Sequence, residues 1–204
     1  MILTLTCLVL STIYQVRSTE VVLREAVATI QGNGTNSVSG GVYFKETPSG
    51  SVEVSGTVTG LTSGLHGFHV HMYGDLTNGC LSTADHYNPH NVAHGGKNAS
   101  TRHVGDLGNI DGGQTGTASI QIIDSVISLS GPHSIIGRAV VIHQDEDDLG
   151  LGGHEDSLTT GRAGPRIGCG VIGMLGDPIS ASHQVLPAMM TTLAMLLTAG
   201  RLLR

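Results

Sequence analysis

Basic residues are scarce in this sequence, and tryptophan is absent from it. Only 10 lysines and arginines stand against 16 aspartates and glutamates in the 204 residues. Three of the basic residues, Arg17, Arg201 and Arg204, lie near the ends, so residues 19–184 carry a net charge of about −9. Nucleic acids bind to positively charged surfaces, and this charge argues against such a partner. With 39% hydrophobic residues, the chain still has enough apolar side chains for a folded domain.

A comfortable membrane span is also missing at the C-terminus, because a spanning helix needs about 20 apolar residues. Residues 185–199 are apolar or threonine, and arginines follow them. The small residues at 180–182 precede this run, as in a lipid-anchor signal. Their polar spacer, residues 183–184, is shorter than the roughly 8–12 residues of such signals. For the tail at 177–204, two alternatives remain open: a lipid anchor that would attach the protein to a membrane surface, and a retained tail.

The N-terminus carries a shorter apolar run over residues 2–14, and Val16 and Ser18 supply small residues for cleavage after Ser18. This pattern is typical of a secretory signal peptide. A positively charged start is missing apart from the terminal amine, so a first core strand or a buried helix is the alternative. We therefore predict a secreted, extracellular protein that the C-terminal tail could hold at the cell surface. Its parts are a signal peptide (1–18), a folded domain (19–176) and the tail (177–204).

Cysteine is rare, with three residues in the whole chain. Cys7 lies inside the predicted signal peptide, so the mature chain keeps Cys80 and Cys169. An even pair in a secreted protein is most simply one disulfide bond. Two acceptor triplets for N-linked glycans, at Asn33 and Asn98, fit the same compartment, although such triplets also arise by chance.

Long helical stripes are missing from the body of the chain, where short β-branched runs alternate with turn residues. In residues 51–58 the valines fall on one parity and the polar residues on the other, so one face packs inward. This pattern predicts an all-β sandwich or barrel with little helix. The strand candidates are residues 21–30, 41–44, 51–58, 67–71, 117–123, 137–143 and 167–173.

Two gaps between these strand candidates are long. Residues 72–103 and 144–166 are rich in glycine and polar residues. Loops longer than about 12–15 residues inside a compact domain are usually functional. We therefore expect these two loops to contribute to the functional site.

Histidines concentrate around the first of these loops. His69 and His71 stand at alternate positions of a predicted strand, so both rings point to one side and can bind one metal ion. Taken alone, this pair is equally typical of an ordinary polar face. His103 and Asp106, three residues apart, can share a tetrahedral zinc ion, which implies a second metal. Further histidines lie in the loop and at the end of a later apolar strand: His86, His90, His94 and His143.

Several motifs occur in order between about residues 21 and 174, and together they resemble the copper/zinc superoxide dismutase family. They are Gly67-Phe68-His69-Val70-His71, Asn88-Pro89, His94-Gly95-Gly96, Arg102-His103-Val104-Gly105-Asp106-Leu107-Gly108-Asn109, Gly137-Arg138, Asp147-Asp148-Leu149-Gly150 and Cys169-Gly170-Val171-Ile172-Gly173. The resemblance implies an eight-stranded Greek-key sandwich or barrel with two long functional loops. It also implies a homodimer that disproportionates superoxide to oxygen and hydrogen peroxide.

The resemblance assigns metal ligands residue by residue. It implies copper held by His69, His71, His86 and His143, and zinc held by His86, His94, His103 and Asp106. His86 then bridges the ions as an imidazolate, because two adjacent cations favour the loss of both ring protons. Asp147 matches the family's carboxylate that hydrogen-bonds one ligand of each metal, here His69 and His94.

Two further residues match the family's substrate channel. Arg166 corresponds to the arginine that guides the superoxide anion by charge and fixed donor geometry. Thr160 corresponds to the threonine opposite it, and His86 is the expected proton carrier. A Cys80–Cys169 disulfide would then hold the metal loop against the last strand.

The second loop departs from the family, because residues 144–160 contain no lysine or arginine where family members commonly place lysine. We expect an active enzyme with a less favourable electric field, with Arg162 and Arg166 near the channel. A copper carrier or an inactive decoy is the weaker alternative, since Cys-x-x-Cys pairs are missing and His143 is present. A structural adhesion sandwich has no use for these ligands. Five histidines match no ligand position: His66, His90, His133, His154 and His183.

Overall fold

The computed structural model describes residues 23–176, and nearly all regular structure in that range is β-strand. The strands are β1 (Glu25–Gly32), β2 (Ser39–Glu46), β3 (Val52–Thr59), β4 (Leu65–His71), β5 (Thr77–Cys80), β6 (Asp106–Asp111), β7 (Thr117–Asp124), β8 (Ala139–His143), β9 (Arg166–Val171) and β10 (Gly173–Met174). A 3-10 turn (Leu81–Thr83) and one short helix, α1 (Ser157–Thr160), complete them. The predicted signal peptide and the tail at 177–204 lie outside the described residues. Within those residues, no helix is long and apolar enough to cross a membrane.

Eight of the strands form one antiparallel sheet in the order β6-β4-β8-β9-β1-β2-β3-β7, and β10 adds to β1. The consecutive strands β3 and β4 lie far apart in this order, and β7 returns to pair with β3. Such returns are typical of a Greek key. The end strands β6 and β7 also contact each other, so the sheet curls into a nearly closed barrel. The prediction of an all-β, eight-stranded fold is confirmed.

The barrel core explains why the strands bury alternate residues. In β3, Val52, Val54 and Val58 are buried, as their shared parity predicts. In β4 both faces are buried: Phe68 and Val70 belong to the core, and the alternate residues point the other way. The outer face of β4 is therefore covered by something other than the core.

Two long connections cover that outer face. The first loop runs from β4 to β6 over residues 72–105, and the second loop runs from β8 to β9 over residues 144–165. A disulfide between Cys80 and Cys169, with Cα atoms 5.8 Å apart, ties the first loop to β9. The two loops that the sequence singles out thus pack on the barrel wall that carries the histidines of β4.

The sequence pattern misses two strands. β5 has the sequence Thr-Asn-Gly-Cys, without a β-branched run, and it lies outside the barrel order. β6 is polar at its start and contains Gly108 at a φ of 82°, which is unusual in a strand. The other predicted strands occur with shifted ends: β1 begins at Glu25, and the last candidate is divided at Ile172 into β9 and β10.

Candidate metal centre

Four buried side chains converge at the start of β6, and we call them the aspartate cluster: His86, His94, His103 and Asp106. Oδ1 of Asp106 lies 2.9 Å from Nδ1 of His86 and 3.0 Å from Nδ1 of His94. It also lies 3.1 Å from Nδ1 of His103. Donors placed about 2.0–2.1 Å from a zinc ion are roughly 3.3 Å apart in a tetrahedron. The cluster has the composition of a tetrahedral zinc site and nearly its spacing.

The backbone orients Asp106 toward these rings. Its other oxygen, Oδ2, accepts hydrogen bonds from the backbone N–H of His103 at 2.8 Å and of Gly95 at 3.1 Å. Oδ1 is thereby left to face the three imidazoles. Because Asp106 opens β6 and His103 precedes it by three residues, one short turn supplies two of the four donors.

A second set of four buried side chains, the histidine cluster, consists of His69, His71, His86 and His143. β4 carries His69 and His71, and the neighbouring β8 ends at His143. Nε2 of His71 lies 3.2 Å from Nε2 of His143. Imidazole donors suit copper as well as zinc. His86 belongs to both clusters.

Two ring nitrogens in the clusters are buried without a hydrogen-bond partner among the described residues: Nδ1 of His69 and Nε2 of His86. Nδ1 of His94 is also buried, and it lies 3.0 Å from Oδ1 of Asp106 without the geometry of a hydrogen bond. Leaving a polar atom buried and unpaired costs about 1–3 kcal/mol. Coordination to a metal ion would remove that cost. The residues present therefore fit two metal ions, one in each cluster.

The outer nitrogens of several rings are hydrogen-bonded to backbone carbonyls. A carbonyl oxygen can only accept, so these ring nitrogens carry the hydrogen and the inner nitrogens keep their lone pairs for a metal. The pairs are His71 Nδ1 with Ala84 O at 2.7 Å, His143 Nδ1 with Gly164 O at 2.9 Å, and His103 Nε2 with Val92 O at 3.1 Å.

Asp147 of the second loop joins the two clusters. Its Oδ2 accepts a hydrogen bond from Nε2 of His69 at 2.9 Å, and its Oδ1 accepts one from Nε2 of His94 at 2.8 Å. Gly161 packs against this contact, because a Cβ at that position would lie 1.9 Å from Oδ1 of Asp147. Its φ of 64° also favours glycine. The second loop can therefore approach the rings closely enough for one carboxylate to reach both.

Burial keeps the histidine cluster neutral. It lowers the pKa of His69 and of His71 well below the usual value, and the neighbouring ring of His86 lowers both further. Burial likewise lowers the pKa of His143 to about 4. Metals bind the neutral ring. At neutral pH these three rings can therefore bind an ion without first releasing a proton.

The aspartate cluster has the opposite character. Burial alone would raise the pKa of Asp106, but contacts with the three neighbouring rings bring it well below its usual range. Burial alone would lower the pKa of His94, but the carboxylates of Asp106 and Asp147 raise it to about 9. At neutral pH Asp106 is therefore an anion and His94 carries a proton, which a metal ion that binds here displaces.

Arg166 begins β9 and reaches across to the first loop. Its Nη1 donates hydrogen bonds to the carbonyl oxygens of Cys80 at 2.9 Å and Leu81 at 3.1 Å. Burial is the main reason why the pKa values of His71 and His143 are low, and the charge of Arg166 lowers them further. The guanidinium is therefore fixed beside the histidine cluster.

A cavity of about 550 Å³ opens beside the clusters. His86, His103 and Thr160 form part of its wall. Asp85 lines the same cavity, and its carboxylate opposes the burial that lowers the pKa of Arg166. The structure thus brings Thr160 to the same cavity as His86, and it adds the negative charge of Asp85, which no sequence motif marks.

Comparison with known proteins agrees with this geometry. A family model described as copper/zinc superoxide dismutase matches residues 38–172, a range that contains both clusters and Arg166. The chain belongs to the copper/zinc superoxide dismutase family. A solved structure titled "Crystal Structure Analysis of the clock protein EA4" has 49% sequence identity to it and a TM-score of 0.70. That match covers 74% of this chain and 94% of the other.

Four histidines that match no ligand position of this dismutase family lie in the described range, and none belongs to either cluster. His66 is buried, with Nδ1 3.0 Å from the carbonyl oxygen of His143. His90 and His133 are exposed, and their ring centroids lie 4.9 Å apart. The fourth, His154, contacts the guanidinium of Arg162.

Arg162, the other arginine that we expect near the channel, is exposed on the second loop. Together with His154 it lines a separate surface cavity whose other walls include Asp145, Glu146 and Asp148. The neighbouring carboxylates offset its charge there. Of the two arginines expected near the channel, only Arg166 lies beside the histidine cluster.

A buried ion pair that the sequence reasoning misses supports the aspartate cluster. Nη2 of Arg102 donates to both oxygens of Asp124, at 2.8 and 2.6 Å, and its Nη1 donates to the carbonyl oxygen of Asp106. Hydrogen bonds between a charged guanidinium and a carboxylate are roughly twice as strong as bonds between neutral groups. Arg102 directly precedes His103, so the pair anchors the turn that holds two donors. The only signal in the sequence is a basic residue next to a ligand.

Proposed function

We propose that this protein is a superoxide dismutase that converts two superoxide anions and two protons into one oxygen and one hydrogen peroxide. The observation that carries the proposal is the position of His86. Its Nδ1 lies 2.9 Å from Oδ1 of Asp106, while its Nε2 is buried without a partner among the described residues. One ring with a nitrogen available to each of two clusters suits an imidazolate between two cations.

We assign copper to the histidine cluster and zinc to the aspartate cluster. All four copper donors are then imidazoles, which suit both working oxidation states of copper. Asp106 adds the carboxylate that suits redox-silent zinc. When bound, copper supplies the one-electron chemistry of both half-reactions.

Arg166 binds the superoxide anion in this proposal. Its guanidinium is only half buried and lies beside the histidine cluster, where a fixed positive charge attracts an anion. The carbonyl oxygens of Cys80 and Leu81 hold Nη1, which leaves the remaining N–H groups to face a small anion.

His86 supplies a proton to the product. Burial lowers the pKa of this ring, although its contact with Asp106 acts in the opposite direction. When Nε2 is not bound to an ion it can take a proton from water, and the low pKa means that it holds this proton weakly and can pass it to a peroxide. Thr160 lines the cavity beside His86, and we propose that it limits which anions enter.

The negative charges near the cavity support a slower enzyme than a lysine-lined channel would give. Asp85 lines the cavity itself, and Asp145 and Glu146 lie on the exposed second loop. These charges favour a second candidate function, a metal-binding relative with little turnover. The retained Arg166 argues for the enzyme, because a protein without turnover has no need of an anion site.

We also propose that the protein is secreted and forms a homodimer. The apolar run at 2–14 and the Cys80–Cys169 disulfide support secretion. Val171, Met174 and Leu175 are partly exposed apolar residues around the buried Ile172, which supports a contact between two copies there. Attachment through the tail at 177–204 is tested by deleting residues 185–204, which should move the protein from membrane to medium.

The experiment that tests the proposed activity starts from protein loaded with copper and zinc. Pulse radiolysis should show catalytic decay of superoxide, with one oxygen and one peroxide formed for each two anions. The same protein loaded with zinc alone should be inactive. If superoxide decays no faster with the copper-loaded protein than with the zinc-only protein, the proposed dismutase activity is wrong and the metal-binding relative with little turnover is the better candidate.

A further inference from the structure

Asn33 makes two hydrogen bonds that connect distant parts of the chain. Its Nδ2 donates to the carbonyl oxygen of Arg166 at 2.9 Å, and its Oδ1 accepts from the backbone N–H of Cys80 at 3.2 Å. The end of β1 brings Asn33 to this place, because Gly32 pairs with Gly168 of β9. In the sequence, Asn33 stands out only as the start of a glycan acceptor triplet.

The contact with the first loop is tight. Gly79 has a φ of 58°, and a Cβ at that position would lie 2.4 Å from Oδ1 of Asn33. Any larger residue would therefore push the loop away from the side-chain amide. The peptide that joins Gly79 to Cys80 is thus held directly against Asn33.

Asn33, Cys80 and Arg166 close a ring of hydrogen bonds. Asn33 holds the N–H of Cys80 and the carbonyl oxygen of Arg166, while the guanidinium of Arg166 holds the carbonyl oxygen of Cys80 at 2.9 Å. The disulfide from Cys80 to Cys169 ties the same loop to β9. Asn33 therefore holds the backbone of Arg166 and also the Cys80 backbone to which the guanidinium of Arg166 is hydrogen-bonded.

We propose that Asn33 is a positioning residue for the guanidinium of Arg166. The inference rests on the proposed function, in which Arg166 binds the anion. An arginine side chain has many rotamers, and ordering it in one of them costs entropy. An anion therefore binds more tightly when the backbone of the arginine and the carbonyl groups that hold its guanidinium are already fixed. Without Asn33, the loop carbonyls that orient Nη1 lose one of their supports, and the anion site loosens.

In this proposal the side-chain amide of Asn33 has a structural role and does not carry a glycan. Nδ2, the atom that would carry a glycan, is the donor to Arg166. The amide of Asn98 is on an exposed residue, and only its Oδ1 is bonded, to Lys97. A sugar would leave Nδ2 one N–H, but it would have to fit into this partly buried contact with the backbone of Arg166, so we expect a secreted protein with no sugar on Asn33. A glycan on Asn33 together with unchanged anion affinity would overturn the proposal.

The test compares Asn33→Ala with Asn36→Ala in the full chain. Asn36 lies in the same turn, and its side chain donates to the carbonyl oxygen of Asn33 but makes no hydrogen bond to Cys80 or Arg166. Azide, a small anion, is titrated into copper- and zinc-loaded protein and followed by the copper absorption. We expect Asn33→Ala to weaken azide binding by about tenfold, within what a displacement under 1 Å can cause. Asn36→Ala should bind azide like the unaltered protein.

A second readout needs neither turnover nor metal. In the metal-free protein, dithiothreitol should reduce the Cys80–Cys169 disulfide faster in Asn33→Ala than in Asn36→Ala, because the first loop is held less firmly. If the unaltered protein proves inactive toward superoxide while Asn33→Ala still weakens azide binding, the proposed function fails and the positioning role stands. If Asn33→Ala unfolds at a lower temperature but keeps its azide affinity, Asn33 is merely structural and the proposal is wrong.

Discussion

Asn109 and Asp147 exchange backbone and side-chain hydrogen bonds. Nδ2 of Asn109 donates to the carbonyl oxygen of Asp147 at 2.9 Å, and the N–H of Asp147 donates to Oδ1 of Asn109 at 2.8 Å. Because Asn109 lies on β6, this reciprocal pair fixes the second loop to the barrel. It sets the backbone from which one carboxylate reaches a ring of each metal cluster.

Removing that carboxylate should weaken both metal sites. In Asp147→Ala, the rings of His69 and His94 lose the acceptor for their outer nitrogens. Such outer partners typically change metal affinity by about 10–100-fold. Competition with a chromophoric chelator measures the affinity for each ion. Asp145→Ala, an exposed change in the same loop, is the matched control, and equal affinities in the two variants would contradict the role of Asp147.

Removing the negative charge of Asp85 should speed the capture of superoxide. Asp85 lines the cavity beside His86, and its carboxylate acts on Arg166. Asp85→Asn should therefore raise the rate at low ionic strength, and the gain should shrink as salt screens the charge. Pulse radiolysis at several salt concentrations measures this. Glu53→Gln, which removes one charge on β3, should change the rate much less. If the rate of Asp85→Asn changes with salt in the same way as the rate of the unaltered protein, the charge of Asp85 does not slow the capture of superoxide.

The metal-free protein should be most stable near pH 6.5. The pKa of His143 is about 4 in the folded protein and about 6.5 in the unfolded chain. As the pH falls below about 6.5, this ring therefore becomes protonated in the unfolded chain but not in the folded protein, and the stability falls. His69 and His71 act in the same direction. His94, with a pKa of about 9, contributes stability that is complete below about pH 6.5 and is lost as the pH rises through 9.

Thermal unfolding of chelator-treated protein, followed by circular dichroism, checks this prediction. We expect the unfolding temperature to fall on both sides of the maximum. Reloading with copper and zinc should flatten the profile near neutrality, because metal ions then occupy the ring nitrogens. A metal-free protein whose stability rises steadily from about pH 6.5 to about pH 4 would show that burial does not keep these rings neutral.

The disulfide should contribute substantially to stability. It joins residues 89 positions apart and ties the first loop to β9. Cys80→Ser should lower the free energy of unfolding by roughly 2–5 kcal/mol. Denaturant titration of the metal-loaded protein measures the change, and the double variant with Cys169→Ser should match the single one. An unchanged free energy of unfolding would show that the disulfide does not stabilise the fold.

The sequence predicts the fold class well because local patterns carry it. The valine parity of residues 51–58 reappears as the buried face of β3, and the two long polar gaps reappear as the loops over β4. β6 escapes detection because its sequence, Asp-Leu-Gly-Asn-Ile-Asp, has no β-branched run and begins with a member of the aspartate cluster. Its first residue is Asp106 and its third is Gly108.

The clusters and Asp147 are recognised from motifs, but other residues that support the site are not. Asn33 acts on Arg166 across 133 residues of sequence, and Arg102 meets Asp124 across 22. No local spacing marks such pairs, since they depend on which strands the barrel brings together. Asp85 shows the same limit: it reads as an ordinary loop acid until the structure places it in the cavity with His86.

The central claim is that His86 is shared by two metal ions. Two paramagnetic ions joined by one imidazolate couple magnetically, so the protein should be loaded with copper(II) in the histidine cluster and cobalt(II) in the aspartate cluster. The account predicts that the copper signal in electron paramagnetic resonance disappears at low temperature when cobalt is added, and that it persists in His86→Ala. A full copper signal in the unaltered protein, with metal analysis showing both ions bound, would contradict the shared ligand.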